Sequence, residues 1–300
     1  MSEEYFETAE LILDLTSKIL RIKPGVVIVP ELGLDEDEQP DRSLSKSYVA
    51  IMLHLNGEDE IEEPEITVEL PTSVKTIPYY AFGMCENIRE VVIPDGSELN
   101  EIGRSAFYRS GLKKINLEKS KVTKLGRQCF HSCQLETITL PETLKKIGEL
   151  AFWSCDELTR VAVPDSLETL GDDCFVECSS LRVLDLSRTK VETIPDTCFA
   201  GSGLETVIFP PGLKRLENGV FESCHYLKEI EVPNEKDNSL FICQLLRKQQ
   251  VIAGLPSCAL FNQIKCDIDM IKLRLVELPG NNEWFYVEVS PDETQIRRLV

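Results

Sequence analysis

The sequence predicts a repeat solenoid: a right-handed coil with a parallel β-sheet on its concave side, short strand or helical turns on the other side, and α+β caps. Two observations predict it. A phenylalanine recurs as Phe82, Phe107, Phe130, Phe152, Phe175, Phe199 and Phe221, at spacings of 25, 23, 22, 23, 24 and 22 residues. Aliphatic residues then recur at fixed offsets from it in all seven copies. A period of this size marks stacked units, none of which can bury its apolar stripe alone.

Within each unit the elements follow in order. Eight residues before the Phe stand Val74, Leu99, Val122, Leu144, Leu167, Val191 and Leu213, and five before it Ile77, Ile102, Leu125, Ile147, Leu170, Ile194 and Leu216. Five or six residues after it begins an L-x-x-I-x-L segment, as in Leu135, Ile138 and Leu140. Its last two apolar residues are two apart, on one face of a strand. Pro94, Pro141, Pro164, Pro210 and Pro233 follow five of the seven strands, and proline cannot continue a central ladder. The repeats therefore occupy residues 66–233, between an N-terminal cap, 1–65, and a C-terminal cap, 234–300.

The stretch LETITLPETLKKIGELAFWSCDEL, residues 135–158, resembles the BspA-like class of leucine-rich repeats, whose consensus is near L-x-x-I-x-L-P-x-x-L-x-x-I-G-x-x-A-F-x-x-C-x-x-L. The resemblance covers a little over half the chain. Leu117 and Leu186 are followed by Glu118 and Ser187 in place of proline, and Ser110 and Ser202 stand where the consensus has cysteine. The resemblance implies a leucine-rich-repeat solenoid, and it implies a surface or secreted adhesin as one role.

In the first cap, residues 5–22 read as an amphipathic helix, with Leu11, Leu15, Ile19 and Ile22 at helical spacing and acids in the first turn. Residues 26–30 read as a short strand, 35–42 as a solvated acidic loop, and 48–55 and 66–70 as strands. In the second cap, 239–250 reads as a helix. Residues 270–278 and 284–289 read as a β-hairpin around Pro279-Gly280-Asn281-Asn282, and the tail 294–300 as helical.

The formal charge of −19 disfavours unspecific binding to nucleic acid or an anionic membrane. The first 65 residues hold 17 acids against 5 bases, so most of this charge is theirs. The start is acidic where a secretory signal needs a basic end, and no long apolar run reads as a membrane span. The expected compartment is the cytoplasm, where the 11 cysteines stay reduced. Eight of them fall on the repeat ruler. At their slots other units carry Ala81, Ala106, Ser110 or Val220, so they read as small buried fillers. His54, His131 and His225 form no catalytic or metal array, and no phosphate-binding glycine loop or nucleophile elbow is present. No enzyme, cofactor or metal is expected.

What remains is surface. The third and fifth positions of each strand motif face away from the core. The candidate partner-binding residues on this concave face are Lys114, Asn116, Thr137, Thr139, Arg160, Val183, Asp185, Thr206 and Ile208. Val183 and Ile208 read as exposed apolar area. Residues 104–127 carry eight bases against Glu118 alone, either a docking patch or a counterweight to the acidic N-terminal segment. The expected function is a non-enzymatic protein-interaction module binding an unidentified protein or peptide. The alternatives are the adhesin role and an activity carried by residues 234–300.

Overall fold

Each repeat folds into one coil with two hydrogen-bonded edges, a strand edge and a phenylalanine edge. The computed structural model describes residues 5–7, 11–14, 17–25, 65–233, 270–277, 284–289 and 296–298. The readings at 26–30, 35–42, 48–55 and 239–250 lie outside the described residues.

The N-terminal strands are β1 (Tyr5–Glu7), β2 (Leu11–Asp14), β3 (Ile19–Ile22) and β4 (Ile66–Glu69). In the first four coils β5 (Thr76–Ile77) and β7 (Glu101–Ile102) form a small side sheet, while β6 (Ile88–Val92), β8 (Lys114–Asn116), β9 (Thr137–Thr139) and β10 (Arg160–Ala162) stack as the strand edge, the face expected to be concave. The later coils supply β11 (Val183–Asp185), β13 (Thr206–Ile208) and β15 (Glu229–Pro233) to the strand edge, and β12 (Thr193–Ile194) and β14 (Arg215–Leu216) to a second side sheet. Strands β16 (Met270–Glu277), β17 (Trp284–Val289) and β18 (Ile296–Arg298) complete the described chain.

The concave strands are parallel and register like for like: Lys114 beside Thr137 and Arg160 on one row, Asn116 beside Thr139 and Ala162 on the next. The sheet is nonetheless two sheets. One runs β1-β2-β3-β4-β6-β8-β9-β10 and the other β11-β13-β15-β16-β17-β18. Between other coils a bond such as that from Thr159 N to Glu136 O, 2.9 Å, flanks the strand pair on one side, and at four of them one such as Leu140 N to Ala162 O, 3.2 Å, flanks it on the other. Among the described residues, the counterparts from Arg182 to Thr159 and from Val163 to Asp185 are not made. Only at this junction do both coils have six residues from Phe to strand motif, Phe152 to Leu158 and Phe175 to Leu181. Two long spacers therefore lie side by side at the interruption.

The phenylalanine edge has no such gap. Two residues before and two after every repeat Phe, the backbone is left-handed. The fourteen residues run from Tyr80 and Met84 to Gly219 and Ser223, with φ between 48° and 66°. Twelve are not glycine, although a left-handed conformation costs such residues about 1 kcal/mol each. The return is a complete cross-coil ladder. In coil three, Gln128, Phe130 and Ser132 donate to the carbonyls of Glu149, Ala151 and Trp153 at 2.9, 2.9 and 2.7 Å. The same triplet of bonds joins every adjacent pair of coils, always pointing the same way along the solenoid.

Between the edges lies the core. All seven repeat phenylalanines are buried, with ring centroids 5.1–5.5 Å apart and planes within 14° from Phe82 to Phe175. From Phe175 onward the rings tilt by 33° and 36°. The bulky Phe209 enters the strand motif there, and its ring sits 6.2 Å from that of Phe221. Gly103, Gly126, Gly148 and Gly171 stack four residues before their phenylalanines. A Cβ on Gly126 would lie 2.4 Å from the Gly103 carbonyl carbon, so backbones meet there without side chains.

The caps correct two readings. The described residues within 5–22 form strands in place of the expected helix: β1, β2 and β3 run antiparallel, with Asp14 opposite Ile19, and the sheet continues into β4 parallel to β3. Leu20 and Ile22 alternate with half-buried Ile19 and Arg21, and Lys18, φ 58°, makes the turn. The tail 294–300 contains β18 in place of the expected helix, paired antiparallel to β17. The hairpin of β16 and β17 is present, and β16 closes the last coil with Glu229 opposite Arg274 and Glu231 opposite Lys272. No helix occurs among the described residues, so neither cap shows the expected α component there.

Candidate functional site

The concave rows are built from the strands up. Lys114, Asn116, Thr137, Thr139 and Arg160 are exposed, as are Val183 and Asp185, whereas Thr206 and Ile208 are half-buried. Ile208 is thus less open than its position implies. Val183 is 50% exposed, and Val92, on the first strand of the array, is 39% exposed. Arg160 stands at the edge of the upper sheet and Val183 at the facing edge of the lower one, so the interrupted ladder runs between them.

Two of the candidate residues also have local structural work. The Asn116 carboxamide oxygen accepts from the Glu118 backbone N–H at 2.9 Å, and an Asp185 carboxylate oxygen accepts from Ser187 N–H at 2.9 Å. These side chains close turns after the two strands that lack the terminal proline. Ser120 and Thr189 complete each turn by donating to Leu117 and Leu186 carbonyls, at 2.7 and 2.8 Å. Sequence spacing placed both residues correctly and missed this duty, although the shared N-L-x-x-S and D-L-x-x-T pattern encodes it.

The cysteines three residues after the Phe do more than fill space. Cys133, Cys155, Cys178 and Cys224 thiols donate to the carbonyls of Phe107, Phe130, Phe152 and Phe199, at 2.8, 3.0, 3.1 and 3.0 Å. Burial pushes Cys133 up to about 12, and it likewise raises Cys129, Cys155, Cys178, Cys198 and Cys224. These thiols stay protonated and unreactive. Serine takes the slot twice, and Ser110 and Ser202 oxygens lie 3.5 and 3.6 Å from the next coil's sulfur. Cys174 and Cys198, one before the Phe, place their sulfurs 3.4 Å apart as free thiols. Among the described residues, no three His, Cys, Asp or Glu side chains cluster as a metal site.

The basic stretch is tied to adjacent coils. Lys119 binds Asp95, which raises its affinity for a proton, and Arg127 meets Glu149 at 3.0 Å. Exposed pairs of this kind contribute little stability. Ring contacts that the sequence reading did not anticipate link Tyr79, Tyr80, Tyr108, His131 and Trp153, with centroids 4.8–6.0 Å apart. Tyr108, His131 and Trp153 each follow a repeat Phe, a column that becomes visible once the units are aligned.

A family profile described as the BspA-type leucine-rich-repeat region, with 6 copies, matches residues 65–182 and 100–228. The chain belongs to this family. Its repeats are also similar to solved leucine-rich-repeat proteins. One from Treponema pallidum is 22% identical, with 83% of this chain and 96% of that one covered and a TM-score of 0.39. A leucine-rich cell surface protein from Faecalibacterium prausnitzii is 18% identical over 77% and 76%, with a TM-score of 0.33. The pneumococcal vaccine antigen PcpA is 14% identical over 78% and 82%, with a TM-score of 0.26. No curated protein matches the chain. For this BspA-type chain the parallel solenoid is the family's architecture, and it leaves the identity of any bound molecule to the exposed rows.

Proposed function

We propose that the protein is a non-enzymatic interaction module whose concave sheet binds a protein or peptide. The supporting observation is Val183, half exposed in mid-array at the interrupted ladder, between Arg160 and half-buried Ile208. Apolar area beside a forked cation is the composition of a binding centre. Combining Arg160→Glu with Ile208→Glu abolishes partner binding in titration calorimetry and leaves the melting transition nearly unchanged. Lys119→Glu with Lys121→Glu is the comparison. If that pair removes binding and the concave pair does not, the partner docks on the flank and this reading is wrong.

The reading includes a cytoplasmic setting, in which neighbouring thiols such as Cys174 and Cys198, 3.4 Å apart, stay reduced. Trapping thiols in intact cells recovers both reduced. A native disulfide there would favour the surface adhesin.

A further inference from the structure

The phenylalanine edge presents a second surface, distinct from the concave sheet. Four residues per coil flank each Phe on it, at three and two before and one and two after. The ladder bonds hold these rows in register through all seven coils. In coils one to three the rows carry Arg104, Arg109 and Arg127 and no acid. In coils four to seven they carry Glu149, Asp172, Asp173, Glu177, Asp196 and Glu222 and no base. Bulk divides the same way. The row one after the Phe reads Gly83, Tyr108, His131, Trp153, Val176, Ala200, Glu222.

These rows are complementary to themselves when reversed. Two solenoids placed edge to edge and antiparallel, about a two-fold axis at coil four, set coil two against coil six and coil three against coil five. Each row then faces its own reverse. Arg104 meets Asp196 of the second copy and Arg127 meets its Asp172; all four are exposed. Tyr108 meets Ala200, so large lies against small, and His131 lies over the position of Val176, which is itself buried. Half-buried Trp153 meets itself on the axis, where interfaces concentrate their energy. Glu149 also meets itself, and Arg127 of its own chain already balances it at 3.0 Å. Arg104 lies over the half-exposed Tyr79 ring at 5.9 Å, which holds the guanidinium on this surface.

We propose that the phenylalanine edge is a homodimer interface: a second copy of this chain docks antiparallel on it, with the two-fold axis through coil four. A closed two-fold contact uses one patch on both subunits, and that patch must be its own complement. Like charge facing like charge disfavours the parallel arrangement.

The test is sedimentation of the full chain with two charge-reversal variants. The parent runs as a dimer at low salt and dissociates as salt rises. Arg104→Glu with Arg127→Glu weakens the dimer at least about tenfold, and so does Asp172→Lys with Asp196→Lys. Mixing the two variants restores a dimer, because each reversed patch now faces its complement. A short bismaleimide links subunits of a Ser154→Cys variant, which lies on the axis, and not those of Ser223→Cys, which lies at the far end. A parent that stays monomeric up to its solubility limit overturns the proposal. Dimers indifferent to both reversals, or a linked Ser223→Cys variant, also overturn it. A monomeric parent whose basic half instead captures an acidic protein assigns the surface to another occupant. The concave pair Arg160→Glu and Ile208→Glu leaves the dimer intact, so failure here is separable from failure of the proposed function.

Discussion

The two edges of the coil solve the same problem differently. The strand edge uses extended backbone, which any β-branched or polar residue adopts without strain, and its ladder is interrupted once, between β10 and β11. The phenylalanine edge holds twelve non-glycine residues in a left-handed conformation, and its ladder is unbroken. The cheaper edge is the one that yields to a change of spacer length. The costlier edge keeps register, because its bonds enclose a close-packed ring stack that tolerates no slip. Coil-to-coil order is therefore set on the phenylalanine side, and the concave sheet is free to vary.

The sharpest way to break that comparison is to truncate one buried side chain on each edge and compare the cost per methylene removed. Phe152→Ala, mid-stack and fully buried, costs about 3–5 kcal/mol. Val161→Ala, on β10 at the gap, costs about 1.5 kcal/mol, the value of two methylenes. Urea unfolding of both variants checks this, and equal costs would remove the asymmetry. Next in size is the response to alkali. The thiols beneath the phenylalanine edge have raised proton affinities when folded. The unfolded chain thus ionises first, near the ordinary thiol value of 9.0, and stability is lost as pH rises from there toward about 12, where folded Cys133 ionises. Each such thiol contributes about 1.4 kcal/mol per pH unit in that window. Cys133→Ser, which copies the residue native to two other coils, makes the measured slope shallower by one thiol. The smallest effect sharpens the account of strain. Ser223 is exposed with φ 58°, at a position where coil six already carries Gly201. Ser223→Gly raises stability by about 0.5 kcal/mol in calorimetry, since glycine occupies this region without the Cβ penalty. A loss of stability would show that the left-handed sites are not strained.

Much of this was legible in the residues. The Phe ruler located every coil, and the L-x-x-I-x-L motif located every concave strand and its outward positions, because in a solenoid the sequence period is the spatial register. The N-terminal cap was misread for a physical reason. Leu11, Leu15, Ile19 and Ile22 fit a helical stripe, but Ile12, Leu13 and Leu20 fill the gaps between them, and a run apolar at both periods does not choose between helix and strand. Lys18 in a left-handed turn settles it, and lysine gives no warning of that. The turn-closing roles of Asn116 and Asp185 were concealed because a strand-end Asx residue looks the same whether it faces a partner or its own backbone. The gap between β10 and β11 coincides with two consecutive six-residue spacers, a signal that acquires meaning only when the strand ladder is seen to break there.

The gap has a mechanical consequence. A stack bound along one margin and slit across the opposite one behaves as a leaf hinge. The expected consequence is stiffness to shear along the bound margin and bending across the interrupted one. Flexing that way changes the separation of Arg160 and Val183 while hardly moving Trp153, whose backbone carbonyl and following residue both lie in the continuous ladder. Bending there would leave every bond of the phenylalanine ladder in place.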